Sequence, residues 1–202
     1  MAGPIDFYFD FMSPFSYFAW QRLPAIAKRF EREIVFHPVD LADLKLRAGN
    51  TGPSARTMPI RIKYMKEDQR RWAKRYGVPI ATPAHYEGGI LNRGCFFALD
   101  RGHIELYITH AYHRVWGEGC SMIDRALIEE LAQHCGWSVL EFDAFVAGEE
   151  ATERLQTETI KANADGIFGV PTMIAEGQMW WGNDRLDFLE EHLAASSSGG
   201  RS

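Results

Sequence analysis

The chain has 202 residues, of which 46% are hydrophobic and 24% charged, and its formal net charge at pH 7 is −5. This balance predicts a globular protein with one large domain, or one domain carrying an insertion, and the negative charge argues against a nucleic-acid-binding surface. No apolar run reaches the roughly 18 residues of a membrane span, and the N-terminus lacks the pattern of a secretory signal. The cysteines Cys95, Cys120 and Cys135 are scattered, which favours a reducing, cytoplasmic environment.

The first forty residues follow a β-α-β pattern. Residues 5–11 are an apolar run rich in Phe and Tyr, which predicts a buried strand. Ser13 is a suitable N-cap and Pro14 a suitable first residue for the helix that follows, which we expect to be kinked at Pro24. The apolar segment 33–39 predicts a second strand, parallel to the first.

The middle of the chain is predicted to be helical. Residues 40–54 contain a Gly- and Asn-rich stretch and are predicted to be a loop. From there to about residue 164, apolar residues recur at spacings of three and four, as in amphipathic helices. Ser121 and Ser138 each have an acidic residue three positions later, so both match the capping box that begins a helix.

Strands return near the C-terminus. Residues 172–175 and 178–181 flank Glu176-Gly177, which predicts a hairpin, and a closing helix is expected after Asn183-Asp184. The order is that of an α/β thioredoxin-like fold, split by an all-helical insertion. We predict a thioredoxin-like domain of residues 1–44 and 166–195, a helical insertion of residues 45–165, and a disordered tail of residues 196–202.

The tetrad Ser13-Pro14-Phe15-Ser16 lies where the first strand turns into the first helix. Thioredoxin-like redox proteins carry Cys-x-x-Cys at such a turn. Serine cannot cycle between thiol and disulfide, so the redox chemistry is lost, while the helix N-terminus still favours an anion. The commonest role of such a serine is an N-cap. Its hydroxyl can also hold a thiolate supplied by another molecule, which points to a glutathione site.

Two later segments support this hypothesis. In Phe168-Gly-Val-Pro-Thr172 we expect a cis Val170-Pro171 bond facing Ser13, although an ordinary trans turn is the commoner arrangement. The Val170 backbone would then offer its polar groups to an extended peptide. In Trp181-Gly182-Asn183-Asp184, the N–H groups and the polar side chains are suited both to capping a helix and to holding the γ-glutamyl end of glutathione.

The chain resembles a known enzyme family in four segments: residues 7–17, 116–119, 168–173 and 180–186. Together they are similar to the 2-hydroxychromene-2-carboxylate isomerases, which belong with the kappa-class glutathione transferases and the DsbA-like proteins. The resemblance covers roughly residues 4–194 and implies a DsbA-like domain with a helical insertion, glutathione as cofactor and a homodimer. It also implies that Ser13 contacts the glutathione sulfur, that Val170 and Pro171 pair with the cysteinyl backbone, and that Trp181, Gly182, Asn183 and Asp184 hold the γ-glutamyl end.

The resemblance further implies a small aromatic carboxylate substrate between the thioredoxin-like layer and the helical block. Lys45, Ser54, Ala55 and Tyr86 match positions on the substrate side, and Ala55 departs from the polar residue expected there. Alone, Lys45 would be taken for a surface lysine. Asn50, in the Gly-rich stretch, either contacts the substrate or satisfies a turn. The histidines and Cys120 show no metal-ligand spacing, so no metal site is expected.

The implied activity is the interconversion of 2-hydroxychromene-2-carboxylate and trans-o-hydroxybenzylidenepyruvate in the breakdown of naphthalene and related aromatics. Two alternatives stay open: a kappa-type transferase that consumes glutathione, and a non-catalytic module that binds glutathione or a peptide. Trp116-Gly-Glu-Gly119 and Trp180-Trp181, taken as part of the substrate-facing surface, favour the isomerase over the transferase. Ser13 and Ser16 exclude a disulfide oxidoreductase unless a distant cysteine acts.

Overall fold

A four-stranded mixed sheet forms the centre of the fold. The computed structural model describes residues 3–52 and 57–199, with side chains as far as Ser196. The strands are β1 (Ile5–Phe9), β2 (Ile34–Pro38), β3 (Thr172–Ala175) and β4 (Gln178–Trp181), in the order β2-β1-β3-β4. β1 is parallel to β2 and antiparallel to β3, and β3 is antiparallel to β4. The predicted parallel pair and the predicted hairpin are both confirmed.

β1 is buried on both faces because its two sets of alternating side chains meet different parts of the core. Ile5, Phe7 and Phe9 are 0% exposed and pack into the large apolar core that the sheet shares with the helices. Tyr8 lies in a second, smaller cluster on the opposite face, together with Val170. A central strand enclosed in this way fixes the position of the turn that follows it.

Helices make up most of the remaining chain. Within the described residues the α-helices are α1 (Pro14–Trp20), α2 (Leu23–Arg29), α3 (Leu41–Arg47), α4 (Pro59–Tyr76), α5 (Gly89–Asp100), α6 (Ile104–Tyr112), α7 (Arg125–His134), α8 (Val139–Ala147), α9 (Glu149–Ala164) and α10 (Leu186–Gly199). A π-helical turn, His113–Gly117, extends α6, and a 3-10 turn, Asn183–Arg185, precedes α10. None of the described helices is long and apolar enough to cross a membrane. The thioredoxin-like fold with inserted helices is thus confirmed.

The first predicted helix is two helices rather than one kinked helix. α1 ends at Trp20 and α2 begins at Leu23, so the break precedes Pro24. A proline ring clashes with the carbonyl group four residues earlier in a continuous helix, which here is that of Trp20. In the first turn of α2 the missing N–H of Pro24 leaves no helical hydrogen bond unmade.

The prediction of a loop over residues 40–54 is wrong for its first half. Asp40 is an N-cap whose carboxylate accepts hydrogen bonds from the amides of Ala42 (2.8 Å) and Asp43 (3.1 Å), and it begins α3. α3 packs against α9. The predicted domain boundary between residues 44 and 45 therefore falls inside a helix.

The serine N-cap of one of the two predicted capping boxes is confirmed. Ser138 accepts a hydrogen bond from the amide of Glu141 (3.4 Å) at the start of α8. Ser121 is not the cap of α7, since that helix begins only after Asp124, whose carboxylate accepts from the amide of Ala126 (3.0 Å). Aspartate caps as well as serine and adds a favourable charge at the helix N-terminus.

The hairpin and α10 close the sheet. Glu176 and Gly177 have φ angles of 53° and 77°, the left-handed conformation that a two-residue turn between twisted strands requires. The prediction of a disordered tail is wrong for residues 196–199, because α10 continues to Gly199. The hydroxyl of Ser196 donates to Glu176 (2.7 Å), so the helix is tied to the hairpin. Residues 200–202 lie outside the described ranges.

His37 joins the outer strand to a helix of the insertion. Its Nδ1 lies 2.5 Å from a carboxylate oxygen of Glu158 on α9, and its Nε2 lies 2.9 Å from Asp6 on β1. The imidazole also stacks on Tyr8, with 4.4 Å between ring centroids. Burial lowers the pKa of His37, but the hydrogen bonds to Glu158 and Asp6 outweigh it, so the pKa is raised overall. The site therefore favours the protonated imidazole, which donates from both nitrogens, more than water does.

This clamp predicts a pH-dependent contribution to stability. A histidine whose pKa is raised in the folded state stabilises the fold fully below its unfolded pKa of about 6.5, and the contribution is lost as pH rises through the folded pKa. We expect His37→Gln to lower the free energy of unfolding by roughly 1–3 kcal/mol at pH 6, and by less at alkaline pH. Urea unfolding of both proteins across this range measures the difference. His85→Gln, an exposed histidine bonded to Ser121, is the control. A pH-independent difference for His37→Gln would show that the imidazole is uncharged.

Candidate functional site

The turn between β1 and α1, residues 10–13, carries the first predicted site residue. Ser13 is 5% exposed, and its amide donates to the Asp10 carbonyl (3.0 Å). Its hydroxyl oxygen accepts from the amide of Ser16 (3.2 Å), which confirms the predicted N-cap. The same hydroxyl donates to the carbonyl of Val170, at a long 3.4 Å. The β1–α1 turn and the segment before β3 therefore meet at Ser13, as predicted.

The segment before β3 faces this turn. The Val170-Pro171 peptide bond is cis, as predicted. Thr172 stabilises the segment by donating its hydroxyl to the Gly169 carbonyl (2.7 Å). Val170 is 8% exposed, so its backbone lies at the floor of the site rather than on an open surface.

The turn after β4 lies next to the cis proline. The amide of Gly182 donates to the carbonyl of Pro171 (2.8 Å), and the following 3-10 turn packs against α1. Asn183 is 3% exposed, and its side-chain amide nitrogen has no hydrogen-bond partner within the described residues. A buried donor without a partner is costly, and a bound acceptor would satisfy it. Asp184 is exposed and pairs with Arg185 (2.9 Å).

Trp181 covers one side of the site. It is 53% exposed, stands edge-on to Phe168 with 5.0 Å between ring centroids, and lies over Gly169. A side chain at Gly169 would meet the indole nitrogen at 2.9 Å, so only glycine allows this approach. The neighbouring Trp180 is half-buried against the core. Of this tryptophan pair, Trp181 is the one that can face a ligand.

Ser16 differs from Ser13 in its surroundings. Its side chain is 0% exposed and buried against Tyr112, and within the described residues its hydroxyl makes no hydrogen bond of normal geometry. Only Ser13 of the tetrad has its hydroxyl directed at Val170. Ser13 is thus the serine of the tetrad whose hydroxyl lies against the cis-proline segment.

Side chains of the helical block hold the β1–α1 turn in place. The indole N–H of Trp116 donates to the Phe11 carbonyl (2.7 Å), and the Asn92 side chain accepts from the Phe11 amide (3.2 Å). Trp116 is 1% exposed and lies in the core. Its expected place in the substrate-facing surface is therefore wrong, because the indole is enclosed behind the turn. Trp116 supports the site without lining it.

Asp10 is a site residue that the sequence analysis missed. Its carboxylate is 1% exposed and accepts hydrogen bonds from the amides of Met12 (2.7 Å) and Leu41 (2.8 Å). Burial raises its pKa to about 6, although these amides and Asn92 act in the opposite direction. The sequence offered one signal for this role: Asp10 stands between two phenylalanines at the end of a buried strand, where a carboxylate is unexpected.

The predicted substrate residues that the structure describes lie in two separate places, one at α3 and one beside Trp116. Lys45 is an exposed residue of α3, and the amide of Asn50 donates to its carbonyl (2.9 Å), which brings these two together. Tyr86 is half-buried and packs on Trp116, with 5.7 Å between ring centroids. Ser54 and Ala55 lie outside the described residues.

Two of the three cysteines, Cys95 and Cys135, are unsuited to redox chemistry. Cys95 and Cys135 are buried, and burial raises the pKa of both thiols, that of Cys135 to about 11. Neither forms a thiolate near neutral pH. In the described part of the chain no group of His, Cys, Asp and Glu side chains is placed to hold a metal ion.

Comparison with known proteins agrees with this geometry. Residues 4–194 match the model of the DSBA-like thioredoxin domain. The chain is also 40% identical to 2-hydroxychromene-2-carboxylate isomerase of Pseudomonas putida, over 94% of this chain and 93% of that protein. The chain therefore belongs to the DSBA-like thioredoxin family, in its 2-hydroxychromene-2-carboxylate isomerase branch. The resemblance noted in the sequence is thereby confirmed.

Two further comparisons show which relatives of this chain are nearer and which are more distant. A solved structure of 2-hydroxychromene-2-carboxylate isomerase superposes with a TM-score of 0.93, at 38% identity and 97% coverage of both chains. Glutathione S-transferase kappa 2 of Caenorhabditis elegans is 26% identical, over 96% of this chain and 93% of that protein. The isomerases are thus the nearer relatives, and the kappa transferase is a distant one.

The turn at Gly182 allows a test of the site in this isomerase-family chain. Gly182 has a φ of 105°, and a side chain there would meet a carboxylate oxygen of Asp184 at 2.4 Å. We expect Gly182→Ala to destabilise the fold by about 1–3 kcal/mol and to weaken binding of the glutathione predicted at this turn, because a side chain is strained at this φ and the Asn183 turn must shift. Calorimetric titration with glutathione measures the second effect. The control is Gly177→Ala, which has positive φ but nothing within 4 Å, and it should leave glutathione affinity unchanged. Equal affinities for both variants would contradict a ligand role for this turn.

Proposed function

We propose that this protein is a glutathione-dependent isomerase that interconverts 2-hydroxychromene-2-carboxylate and trans-o-hydroxybenzylidenepyruvate. The observation that carries the proposal is the place where Ser13, Val170 and Gly182 meet, in a chain about 40% identical to isomerases of this name. The site replaces both redox cysteines by serines, yet keeps the cis proline beside them. Such a site is built to hold a thiol and not to provide one.

Glutathione fits the donors and acceptors that the site offers. The Ser13 hydroxyl would donate to the sulfur, exchanging its long bond to Val170 for a charge-assisted one. Val170 and Pro171 would meet the cysteinyl backbone. The unpartnered amide of Asn183, with Gly182, Asp184 and Trp181 around it, would hold the γ-glutamyl end. When bound, glutathione would supply a thiolate that adds reversibly to the double bond of the ring-opened substrate.

The protein would contribute orientation and electrostatics. Pro14 has no N–H and the Ser16 amide already donates to Ser13, so the N-terminus of α1 offers few free donors, and the Ser13 hydroxyl would carry more of the thiolate's stabilisation. Lys45 would neutralise the carboxylate of the substrate, and Asn50 and Tyr86 would complete its site together with Ser54 and Ala55. Holding both reactants in one orientation lowers the entropic cost of the addition.

The proposal extends to the organisation of the protein. The segments from β1 to β2 and from β3 to α10 would form the thioredoxin-like domain, and the helices from α3 to α9 the insertion that covers the aromatic carboxylate. We further propose a cytoplasmic homodimer acting in aromatic catabolism. Glutathione is abundant in the reducing compartment that the scattered, buried cysteines suit.

The proposal predicts that glutathione is needed only in catalytic amounts. Adding it to the purified protein should start conversion of 2-hydroxychromene-2-carboxylate, followed by absorbance, while total free thiol stays constant. The distant kappa transferase relative makes conjugation the alternative, in which thiol falls in proportion to product. Full activity without any thiol would refute the mechanism, and binding of glutathione without turnover would indicate a non-catalytic module.

Ser13 is predicted to be the residue that matters most for the thiol. A charge-assisted hydrogen bond is worth about 1.5–3 kcal/mol, so Ser13→Ala should raise the pKa of the bound thiol and slow turnover roughly tenfold to a hundredfold. The lost N-cap should also cost about 1 kcal/mol of stability, which urea unfolding reports separately.

Ser16→Ala is the matched comparison for Ser13→Ala. Its hydroxyl is buried without a hydrogen bond of normal geometry, so its removal should leave the bound thiol's pKa near that of the wild type. The opposite outcome, loss of the thiolate in Ser16→Ala alone, would show that Ser16 and not Ser13 contacts the thiol. No change in either variant would assign the thiolate to the helix N-terminus.

A further inference from the structure

The carboxylate of Asp10 is buried at the meeting point of three chain segments. One oxygen accepts from the amide of Met12, directly before Ser13, at 2.7 Å. The other oxygen accepts from the amide of Leu41, the first residue of α3, at 2.8 Å. The start of α5 closes the third side, because a side chain at Gly88 would meet the carboxylate at 2.6 Å. A buried carboxylate is costly unless it is hydrogen-bonded. Each oxygen of Asp10 accepts from the backbone amide of a segment that leads into the site.

The two amides belong to parts of the site with different tasks. Met12 leads into Ser13, the proposed thiol contact. α3 carries Lys45, the proposed contact of the substrate carboxylate. Asp10 accepts hydrogen bonds from both segments. Asn92 also joins them, because its side chain accepts from the amide of Phe11 (3.2 Å) and donates to the carbonyl of Val39 (3.1 Å). Asp10 therefore helps to set the position of the thiol contact relative to that of the substrate contact.

We propose that Asp10 is a positioning residue of this site, whose ionised carboxylate holds the Ser13 turn and the start of α3 in register. The inference rests on the proposed function for its catalytic meaning, but the coupling of the two amides through Asp10 is a property of the free protein. Protonation of the carboxylate weakens both bonds, because a charged acceptor binds an amide more strongly than a neutral one.

Other ionisable groups face Asp10 and bear on its titration. Asp40, at the start of α3, repels it and contributes to the rise of its pKa. Cys95 of α5 and Tyr112 of α6 lie close by, and burial, with Asp10 as a further cause, raises the pKa of both well above the usual values. Neither of these two changes charge near neutral pH, so Asp10 is the group that titrates there.

The first experiment uses the protein without glutathione. In a nuclear magnetic resonance titration, the amide signals of Met12 and Leu41 should move together with one midpoint of about 6, the pKa of Asp10. The shared transition should vanish in Asp10→Asn and persist in Asp40→Asn. Separate midpoints, or a transition that survives in Asp10→Asn, would overturn the proposed coupling. This result does not depend on whether glutathione is the ligand.

The second experiment measures the effect on the thiol. The pKa of bound glutathione, read from thiolate absorbance, should rise in Asp10→Asn, and kcat/KM should fall about tenfold or more, as expected for one charge-assisted hydrogen bond. Asp40→Ala, which removes the α3 cap but no bond to Met12, should lose stability and keep the thiol's pKa.

The direction of the shift decides between positioning and simple repulsion. If Asp10 acted only as a nearby negative charge, its removal would lower the pKa of the thiol. A lowered or unchanged pKa would therefore overturn the proposal. Should Asp10→Asn fail to fold, Gly88→Ala allows the same measurement with the charge kept, because its methyl group would meet the carboxylate at 2.6 Å and the side chain of Met12 at 3.1 Å. Failure of every variant to bind glutathione, wild type included, would refute the proposed function and leave the amide coupling standing.

Discussion

The site depends on the need to satisfy the polar groups of a turn that is largely buried. Asp10, Phe11 and Ser13 are at most 5% exposed, so an unpaired backbone group there would cost free energy. Trp116 and Asn92 satisfy Phe11, while Tyr112 donates to the Asp10 carbonyl (3.3 Å). The insertion is therefore more than a cover, because its side chains define the conformation in which Ser13 is presented.

Local signals in the sequence were sufficient for much of the architecture. Ser13 and Pro14 specify a helix start, and Glu176-Gly177 specifies a tight turn, because each depends on the conformational preference of one or two residues. The cis proline was expected from its sequence context and is confirmed. In these cases the physics that decides the structure lies within a few residues, so the sequence alone can reveal it.

Other features depend on packing between distant segments and could not be predicted locally. The Gly-rich stretch after residue 48 concealed the capping role of Asp40, and α3 forms because its Leu44 is buried in the smaller cluster with Ile167. The choice between Ser13 and Ser16 depends on which face α1 turns toward β3. The part played by Asp10 requires that Leu41 and Met12 meet, and nothing in the spacing of these residues shows it.

The replacement of the redox cysteines by serines, and the burial of Cys95 and Cys135, affect how this protein responds to oxidation. A catalyst that keeps its own nucleophilic thiol is inactivated when that sulfur is oxidised to a sulfinic or sulfonic acid, since this damage is largely irreversible. Here Ser13 cannot be oxidised in that way, and Cys95 is shielded as a buried thiol. In the proposed mechanism the vulnerable sulfur would belong to a glutathione molecule that dissociates, so oxidative damage would leave with that molecule and the next one would restore the site. The lifetime of the catalyst would then be set by the stability of its fold and not by the chemistry of its nucleophile.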